Sequence, residues 1–328
     1  MSLLCQPPPH YSCTIALALT YSCSLVLTPR STSFAPSRDG DVLTTWNATY
    51  TGSNTWPAGG ADPSKPEGHP YRRTQFGKAG FTMSFEGTVL WLCLRSNGAG
   101  YHLSVDGAAQ TSIGVVEELC KDYLDAEPDM RPDTVIVTQD LEPGRHSAVL
   151  DVSASPQNEF RFWGGGIVMR VPTAGHVIDE VEIDDQADGW VFSPASGDQA
   201  WKASTGVSGM YQNTATSNCV YGAGITAAYR FKDAAGLILK GHAWSQSRAF
   251  GVQLDNQLTG MYATTSWDDG AAVFFVSGSL DPSRSHTITL INFNTEDNDC
   301  PARRGEPCCI GFDSIILLRA GTDLLPCA

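Results

Sequence analysis

The chain has 328 residues, of which 17% are charged, and its formal net charge at neutral pH is −14. This acidity disfavours binding to nucleic acid or to an anionic membrane, because no basic stripe is present to release counterions. The length fits two domains of ordinary size, each able to bury a core, and the scarcity of Lys/Glu-rich stretches argues against a helical protein.

The first 35 residues are predicted to be a signal peptide followed by a polar lead-in. Residues 14–27 form an apolar run, interrupted by Tyr21, Ser22 and Cys23, that suits a secretory signal and is short for a membrane span. No Lys or Arg precedes this run, and cleavage is predicted between Leu27 and Ala35. No other stretch is apolar enough to cross a bilayer, so we expect a secreted mature chain without a membrane span.

Cysteine usage agrees with secretion. Seven of the ten cysteines follow the predicted signal, and none has the spacing of a structural zinc site. The disulfide candidates are Cys93, Cys120, Cys219, Cys300, Cys308, Cys309 and Cys327. Cys93 is predicted to pair with Cys120, and Cys219 could reach Cys300 or Cys309, which leaves the connectivity open. Asn47 begins the one glycosylation sequon, so the mature protein is predicted to be a glycoprotein.

Alternating apolar and polar residues predict β-strands along both halves of the chain. In the first half, a Gly/Pro-rich loop over residues 51–70 follows the first strand, and Val115–Tyr123 is left open between helix and strand. The predicted strand regions of the first half are Val42–Thr51, Gly80–Gly107, Thr134–Thr138, His146–Val152 and Phe162–Val171. Those of the second half, after a linker at residues 172–175, are Val177–Ile183, Gly189–Ser193, Gly224–Asn256, Ala272–Val276, Thr287–Phe293 and Ile310–Leu318.

The two halves repeat the same features in the same order. Tyr101–Gly107 matches Phe250–Asn256, each ending in an Asp-Gly or Asp-Asn turn, and Leu141–His146 matches Leu280–His286 before a strand. This repetition predicts two copies of one all-β domain. The predicted divisions are a signal peptide and lead-in at 1–35, a first domain at 36–172, a second domain at 177–320 and a C-terminal tail at 321–328.

Several motifs of the second copy mark strands and turns of a known fold. They are Val181–Asp185 with Trp190, Gln253–Asn256, Leu280–His286 and Gly311–Leu317. With these motifs the chain resembles the tandem galactose-binding-like jelly-roll β-sandwich proteins, secreted or at the cell surface, of basidiomycete fungi. The first copy has Gly40–Leu43 in place of the opening Ile-Asp-Asp. The resemblance implies an all-β fold of two tandem jelly-roll antiparallel β-sandwiches, and it marks no site.

Polar residues that could carry chemistry are few. His146 and His286 hold equivalent positions in the two copies, which favours a structural role. The pairs Asp184-Asp185 and Asp268-Asp269 could act as acid and base or ligate calcium. Adjacent residues of a strand point to opposite faces, so neither pair should converge unless a turn bends it, and turns are the favoured interpretation. No cofactor is predicted, with calcium left open.

Aromatic residues give the predicted ligand site. Trp46 and Trp190 alternate with other apolar residues and are expected in the core. The predicted ligand-binding residues lie in Gly/Ser/Asp-rich loops: Trp56, Trp201 and Trp267, with the acids Asp198, Asp268 and Asp269. An indole can stack on a sugar ring while a neighbouring carboxylate accepts hydrogen bonds from its hydroxyls.

Three classes of function remain open. The first is a secreted, non-catalytic carbohydrate-binding or cell-wall-associated protein whose partner is a glycan or cell-wall polysaccharide. The second is a polysaccharide-active enzyme with a carboxylate pair that only the fold brings together. The third is a structural or protein-interaction ectodomain. The sequence contains no nucleophile elbow, zinc-protease helix, phosphate loop or dinucleotide fingerprint, and the first class is therefore favoured.

Overall fold

The computed structural model describes residues 11–16, 20–27, 29, 35–36, 46–51, 68–138, 141–174, 176–244, 247, 249–262, 270–293 and 308–324. Over these ranges the chain forms 23 strands, two short 3₁₀ turns and one α-helix, α1 (Val116–Leu119). The prediction of an all-β protein is confirmed. No helix of the described part is long and apolar enough to cross a membrane.

The strands follow one another closely along the chain. Those of the first half are β1 (Tyr11–Ala16), β2 (Thr20–Leu27), β3 (Ala35–Pro36), β4 (Asn47–Tyr50), β5 (Pro70–Thr74), β6 (Ala79–Gly87), β7 (Val89–Arg95), β8 (Gly100–Val105), β9 (Ala108–Gln110), β10 (Thr134–Val137), β11 (Gly144–Ser153) and β12 (Phe160–Pro172). Those of the second half are β13 (His176–Asp184), β14 (Trp190–Ser193), β15 (Lys202–Thr205), β16 (Thr214–Asn218), β17 (Thr226–Lys232), β18 (Gly236–Ala243), β19 (Ala249–Leu254), β20 (Gln257–Tyr262), β21 (Gly270–Ser277), β22 (Ser285–Ile291) and β23 (Ile310–Leu324).

These strands form four antiparallel sheets. The first sheet has the order β1-β2-β12-β5-β4, with β7 also paired to β12 and β10 to β7, and the second has the order β3-β6-β11-β8-β9. The third sheet runs β15-β16-β23-β18-β21, with β13 also paired to β23, and the fourth runs β14-β17-β22-β19-β20.

The strand orders of the two halves correspond. Raising each strand number of the second sheet by eleven gives the order of the fourth sheet. The same shift converts β2, β4, β5, β7, β10 and β12 into β13, β15, β16, β18, β21 and β23, with the same neighbours in each sheet. Among the described strands of the first half, β1 alone has no counterpart.

Alternation along the strands separates buried from exposed residues. In β11 the side chains of Ala148, Leu150 and Val152 are buried while their neighbours in sequence are not. In β22 the same holds for Ile288 and Leu290. Successive side chains of a strand point to opposite faces, so the strands of the second and fourth sheets present one apolar face to a core. The first and third sheets are covered on both faces: alternate residues of β7 belong to two different buried clusters, and so do alternate residues of β23. Each aliphatic side chain that is fully buried contributes about 1.5–3 kcal/mol to folding.

The segment predicted to be a signal peptide provides strands of the first sheet. All eight residues of β2 pair with β12, from Thr20 opposite Pro172 to Leu27 opposite Gly165. Leu25 and Leu27 are 1% and 0% exposed. In the second half the corresponding position is held by β13, so the opening strand of the first half lies upstream of residue 36, the predicted domain boundary. Residues 40–43, which were compared with that strand, lie outside the described residues.

The disulfides agree with the pairing predicted from the sequence. Cys93 is bonded to Cys120, and Cys219 is bonded to Cys309, one of the two partners left open for it. Cys308 is disulfide-bonded as well, while Cys300 and Cys327 lie outside the described residues. The first bridge joins β7 to the end of α1. It belongs to a separate buried cluster that contains Trp163, so α1 is held against the outer face of the first sheet.

His146 and His286, which hold equivalent positions in the two halves, each form hydrogen bonds that stabilise an equivalent turn. His146 Nδ1 lies 2.6 Å from Asp106 Oδ2, and its Nε2 lies 2.8 Å from the Glu142 carbonyl oxygen. His286 makes the equivalent contacts, at 2.9 Å each, with Asp255 Oδ2 and the Asp281 carbonyl oxygen.

Both aspartates of these turns have positive φ, 50° at Asp106 and 54° at Asp255. Each also accepts a hydrogen bond from the backbone N–H of the residue after its histidine. The predicted structural role of the two histidines is supported by this geometry.

The His146 contact makes the stability of its turn dependent on pH. Burial opposes the charged ring, but hydrogen bonds to Asp106 and to the Glu142 carbonyl outweigh it and raise the pKa of His146. The stabilisation is therefore complete below the ordinary value of 6.5 and is lost as pH rises through the folded-state pKa. We expect His146→Gln to lower the free energy of unfolding by about 1–2 kcal/mol at pH 6 and by less at pH 9.

Denaturant unfolding at the two pH values measures this difference. His102→Gln is the matched control, because His102 is exposed on the neighbouring strand β8 of the same sheet. A loss of stability that is equal at pH 6 and pH 9 would contradict the proposed role of the charged ring.

Candidate functional site

Two of the six predicted ligand-binding residues, Trp201 and Asp198, lie in the described part of the chain. Both belong to the segment that joins β14 to β15. The other four residues lie outside the described residues: Trp56, Trp267, Asp268 and Asp269. The structure therefore places Trp201 and Asp198, and the ligand site itself stays a prediction.

Trp201 is half-buried at the edge of an aromatic cluster. Its Nε1 donates a hydrogen bond of 3.3 Å to the Ser193 carbonyl oxygen. Its ring centroid lies 5.9 Å from Phe192 and 5.9 Å from Phe312, the latter in an edge-on arrangement. The indole is thus fixed on one side by the core of the second half and remains partly open to solvent.

Asp198 is exposed on a tight turn just before Trp201. The turn is closed by a 3.0 Å hydrogen bond from the Ala200 N–H to the carbonyl oxygen of Gly197, which has a φ of 94°. A second bond of 2.8 Å, from Asn218 Nδ2 to the Gln199 carbonyl oxygen, ties the turn to β16. The Asp198 carboxylate therefore lies on a loop that is anchored to β16, three residues before the fixed indole of Trp201.

The two tryptophans predicted to lie in the core are buried. Trp46 is 8% exposed and Trp190 is 9% exposed. Each indole N–H donates to a backbone carbonyl, Trp46 to Gly80 at 3.0 Å and Trp190 to Asp184 at 2.9 Å. This prediction is confirmed, and neither residue is available to a ligand.

The Asp184-Asp185 pair converges at a turn, the one condition under which the sequence allowed it. The Thr214 hydroxyl lies 2.9 Å from Asp184 Oδ1 and 2.6 Å from Asp185 Oδ1. The reason is that β13 ends at Asp184, and the turn that follows brings the next side chain to the same partner. The turn was the favoured interpretation of the sequence, and the shared partner Thr214 is what the structure adds.

Asp185 is engaged on both oxygens inside the protein. It is 0% exposed, and its second oxygen accepts a short hydrogen bond from Thr216. Burial raises the pKa of Asp185, the two threonine hydroxyls lower it, and the neighbouring Asp184 raises it further. The net shift is upward. The single Thr214 proton can serve only one of the two carboxylates, so this network favours a proton on Asp185.

Asp313 is a second buried acid, which the sequence analysis missed. It is 2% exposed in β23, and its Oδ1 accepts a hydrogen bond of 2.7 Å from the Tyr211 N–H. Burial raises the pKa of Asp313 to about 7, against the opposing effects of that hydrogen bond and of Lys240. The sequence did contain one indication of this: Asp313 is the one acid within the apolar run Ile310–Leu318, so its side chain is expected to be buried.

One ion pair borders this group of acids. Lys240 Nζ lies 2.8 Å from Glu182 Oε1, and the Ser314 hydroxyl donates to the same oxygen at 2.7 Å. In the part of the chain that the structure describes, no group of three or more His, Cys, Asp or Glu side chains is arranged to hold a metal ion. Calcium binding remains an open prediction.

No family model matches the chain, and no curated protein matches it. Solved structures of low similarity include carbohydrate-binding and carbohydrate-active proteins. A Paenibacillus xanthan lyase is 11% identical with a TM-score of 0.29, and the match covers 93% of this chain and 33% of that chain. The N-terminal CBM22 tandem domain from Paenibacillus barcinonensis is 10% identical with a TM-score of 0.26, covering 89% of this chain and 96% of that chain.

A third similar structure is the cycloalternan-forming enzyme from Listeria monocytogenes, solved with a pentasaccharide substrate. It is 8% identical with a TM-score of 0.25, and the match covers 77% of this chain and 20% of that chain. This chain therefore spans about a third of the xanthan lyase and a fifth of the Listeria enzyme.

Proposed function

We propose that this protein is a secreted, non-catalytic carbohydrate-binding protein that associates with a glycan or a cell-wall polysaccharide. The observation that carries the proposal is the placement of Trp201. Its indole is held by Ser193 and Phe312 and stays partly open beside the exposed turn of Asp198. A fixed indole presents apolar area to a sugar ring at little cost in conformational entropy, and a nearby carboxylate accepts hydrogen bonds from sugar hydroxyls.

We further propose that the chain is built from two tandem jelly-roll sandwiches of the galactose-binding-like type. The eleven-strand correspondence between the halves supports this, as do the matched turns of His146 and His286. A shallow sugar site binds weakly on its own. Two sites on one chain would raise the apparent affinity for a polymer by avidity, provided that both can reach it.

A non-catalytic role is favoured by the environment of the described acids. Asp185 is fully buried and bonded to two threonine hydroxyls, so it cannot reach a substrate. Secretion is supported by the disulfides Cys93–Cys120 and Cys219–Cys309, because such bonds persist in oxidising compartments. Glycosylation at Asn47 and a fungal origin belong to the same proposal.

The test of this function is polysaccharide binding by the Trp201 and Asp198 variants. Trp201→Ala should weaken binding about two- to twelvefold, since an aromatic stacking contact contributes roughly 0.5–1.5 kcal/mol. It also removes packing against Phe192 and Phe312, so its thermal midpoint should fall. Asp198→Asn should weaken binding without changing the midpoint, because the side chain is exposed. Pull-down with a panel of insoluble polysaccharides measures the binding of both variants, and thermal unfolding measures their midpoints.

The matched control is Asp233→Asn, which alters an exposed acid in the turn after β17. In the pairing of β14 with β17, Ser193 lies opposite Thr226, so Asp233 is at the other end of that strand from Trp201. This control should bind as the unmodified protein does. Equal binding by all three variants would remove Trp201 from the site. Release of reducing sugar by the unmodified protein would replace the proposal with the enzyme alternative.

A further inference from the structure

A cavity of about 330 Å³ lies between the first and third sheets. Leu25 and Val26 of β2 form one wall, and Met210 with Val273 of β21 forms much of the other. The polar end is formed by Lys240 and Asp313. The volume is at the small end of the range of ligand pockets, and mostly apolar walls with a few converging polar groups are typical of such sites.

The Asp313 carboxyl is the polar group with hydrogen-bonding capacity to spare. Among the described residues, its one hydrogen-bond partner is the Tyr211 N–H, on Oδ1. A carboxylate offers about four acceptor positions. Lys240, the base that interacts with Asp313, is already 2.8 Å from Glu182. A donor inside the cavity would therefore add a hydrogen bond to a carboxylate that accepts one from the Tyr211 N–H.

The charged residues around the cavity indicate which kind of hydrogen-bond donor a ligand would carry. Asp313 interacts electrostatically with two other acids, Glu182 and Asp185, and with one base, Lys240. A cation in the cavity would offset the surplus of acids, whereas an anion would add to it. Apolar walls next to a buried acid are complementary to an organic ammonium group on a compact hydrophobic body.

We propose that this cavity is a binding site for a small, largely apolar primary amine, with the ammonium group on Asp313 and the apolar body between β2 and β21. The proposal goes beyond carbohydrate binding and does not depend on Trp201. It requires that β2 is retained in the mature protein, since β2 forms one wall.

The experiment uses 2-phenylethylamine and 2-phenylethanol as matched probes, titrated calorimetrically into the full chain at pH 8. The two molecules share the ring and the linker and differ in the charged group. We expect saturable binding of the amine and at least tenfold weaker binding of the alcohol. Asp313→Asn should weaken amine binding at least tenfold and leave the alcohol unaffected, because it removes the charge and keeps the shape.

A second variant covers the case in which Asp313→Asn folds poorly. Ala271 lines the cavity and is itself exposed, so Ala271→Trp should obstruct the cavity without disturbing the core. This variant should abolish amine binding with an unchanged thermal midpoint.

Several results would overturn the proposal. They are amine binding that survives in either variant, equal affinity for the alcohol, no saturable amine binding at millimolar concentrations, and an intact mass that lacks residues 20–27. None of these results bears on polysaccharide binding through Trp201.

Discussion

Leu25→Asp is expected to prevent stable folding of the first two sheets. Leu25 is 1% exposed in β2, within the cluster that also contains Leu92 and Ile167. The substitution loses the burial of a leucine and places an unpaired carboxylate in an apolar site, which together cost at least about 4 kcal/mol. That is a large share of the 5–15 kcal/mol typical of a whole domain. Soluble yield and denaturant unfolding of the full chain measure the effect.

Ser24→Asp is the matched control, because Ser24 adjoins Leu25 in β2 but is only half-buried, on the opposite face. It should lower stability by less than about 1 kcal/mol. If Leu25→Asp behaves like Ser24→Asp, β2 is not part of the folded core. An intact mass that begins after Leu27 would explain such a result, because the segment would then have been removed as the predicted signal peptide.

The N-terminal segment was predicted to be a signal peptide, and apolar content alone did not distinguish that from a strand. A signal peptide needs a short apolar run, and so does a strand buried in a sheet. The alternation of Ser22, Ser24 and Val26 with Cys23, Leu25 and Leu27 is the period of a strand. The alternation is weak in the sequence because Val26 is as apolar as its neighbours. The pairing with β12, which distinguishes a strand, is a long-range contact that local sequence does not contain.

Much of the remaining fold was accessible from the sequence because its signals are local or repeated. The Asp-Gly and Asp-Asn turns marked the positive-φ positions of Asp106 and Asp255. The matched placement of His146 and His286 pointed to a common structural role, and the structure adds the carboxylate and carbonyl partners of each ring.

The candidate sites were less accessible, because each depends on residues far apart in the chain. Trp201 was expected to be a loop residue, and its packing on Phe312 crosses more than a hundred positions. The convergence of Asp184 and Asp185 depends on Thr214, a partner supplied by another strand. The cavity at Asp313 needs walls from both halves. Residue type indicated that these side chains could carry chemistry, but only the fold determined which of them meet.

The stability of the protein is expected to fall between pH 4 and pH 7 because of Asp313. Burial raises the pKa of Asp313 from 3.8 to about 7, with Lys240 opposing the shift and Glu182 and Asp185 reinforcing it. Between these two values the folded state binds a proton that the unfolded state has released. The stabilisation is therefore complete below about pH 4 and is lost as pH rises through 7. Three pH units correspond to at most about 4 kcal/mol.

Asp313→Asn should remove this part of the pH dependence, because the amide resembles the protonated acid and can still accept the hydrogen bond from the Tyr211 N–H. The variant should match the unmodified protein near pH 4 and exceed its free energy of unfolding by about 2–4 kcal/mol at pH 8. Asp151→Asn, at an exposed position of β11, should leave the difference between the two pH values unchanged. Parallel stability curves for Asp313→Asn and the unmodified protein would mean that Asp313 is ionised in the folded state throughout this range. Lys240, the base that interacts with Asp313, would then be the cation that compensates the buried carboxylate.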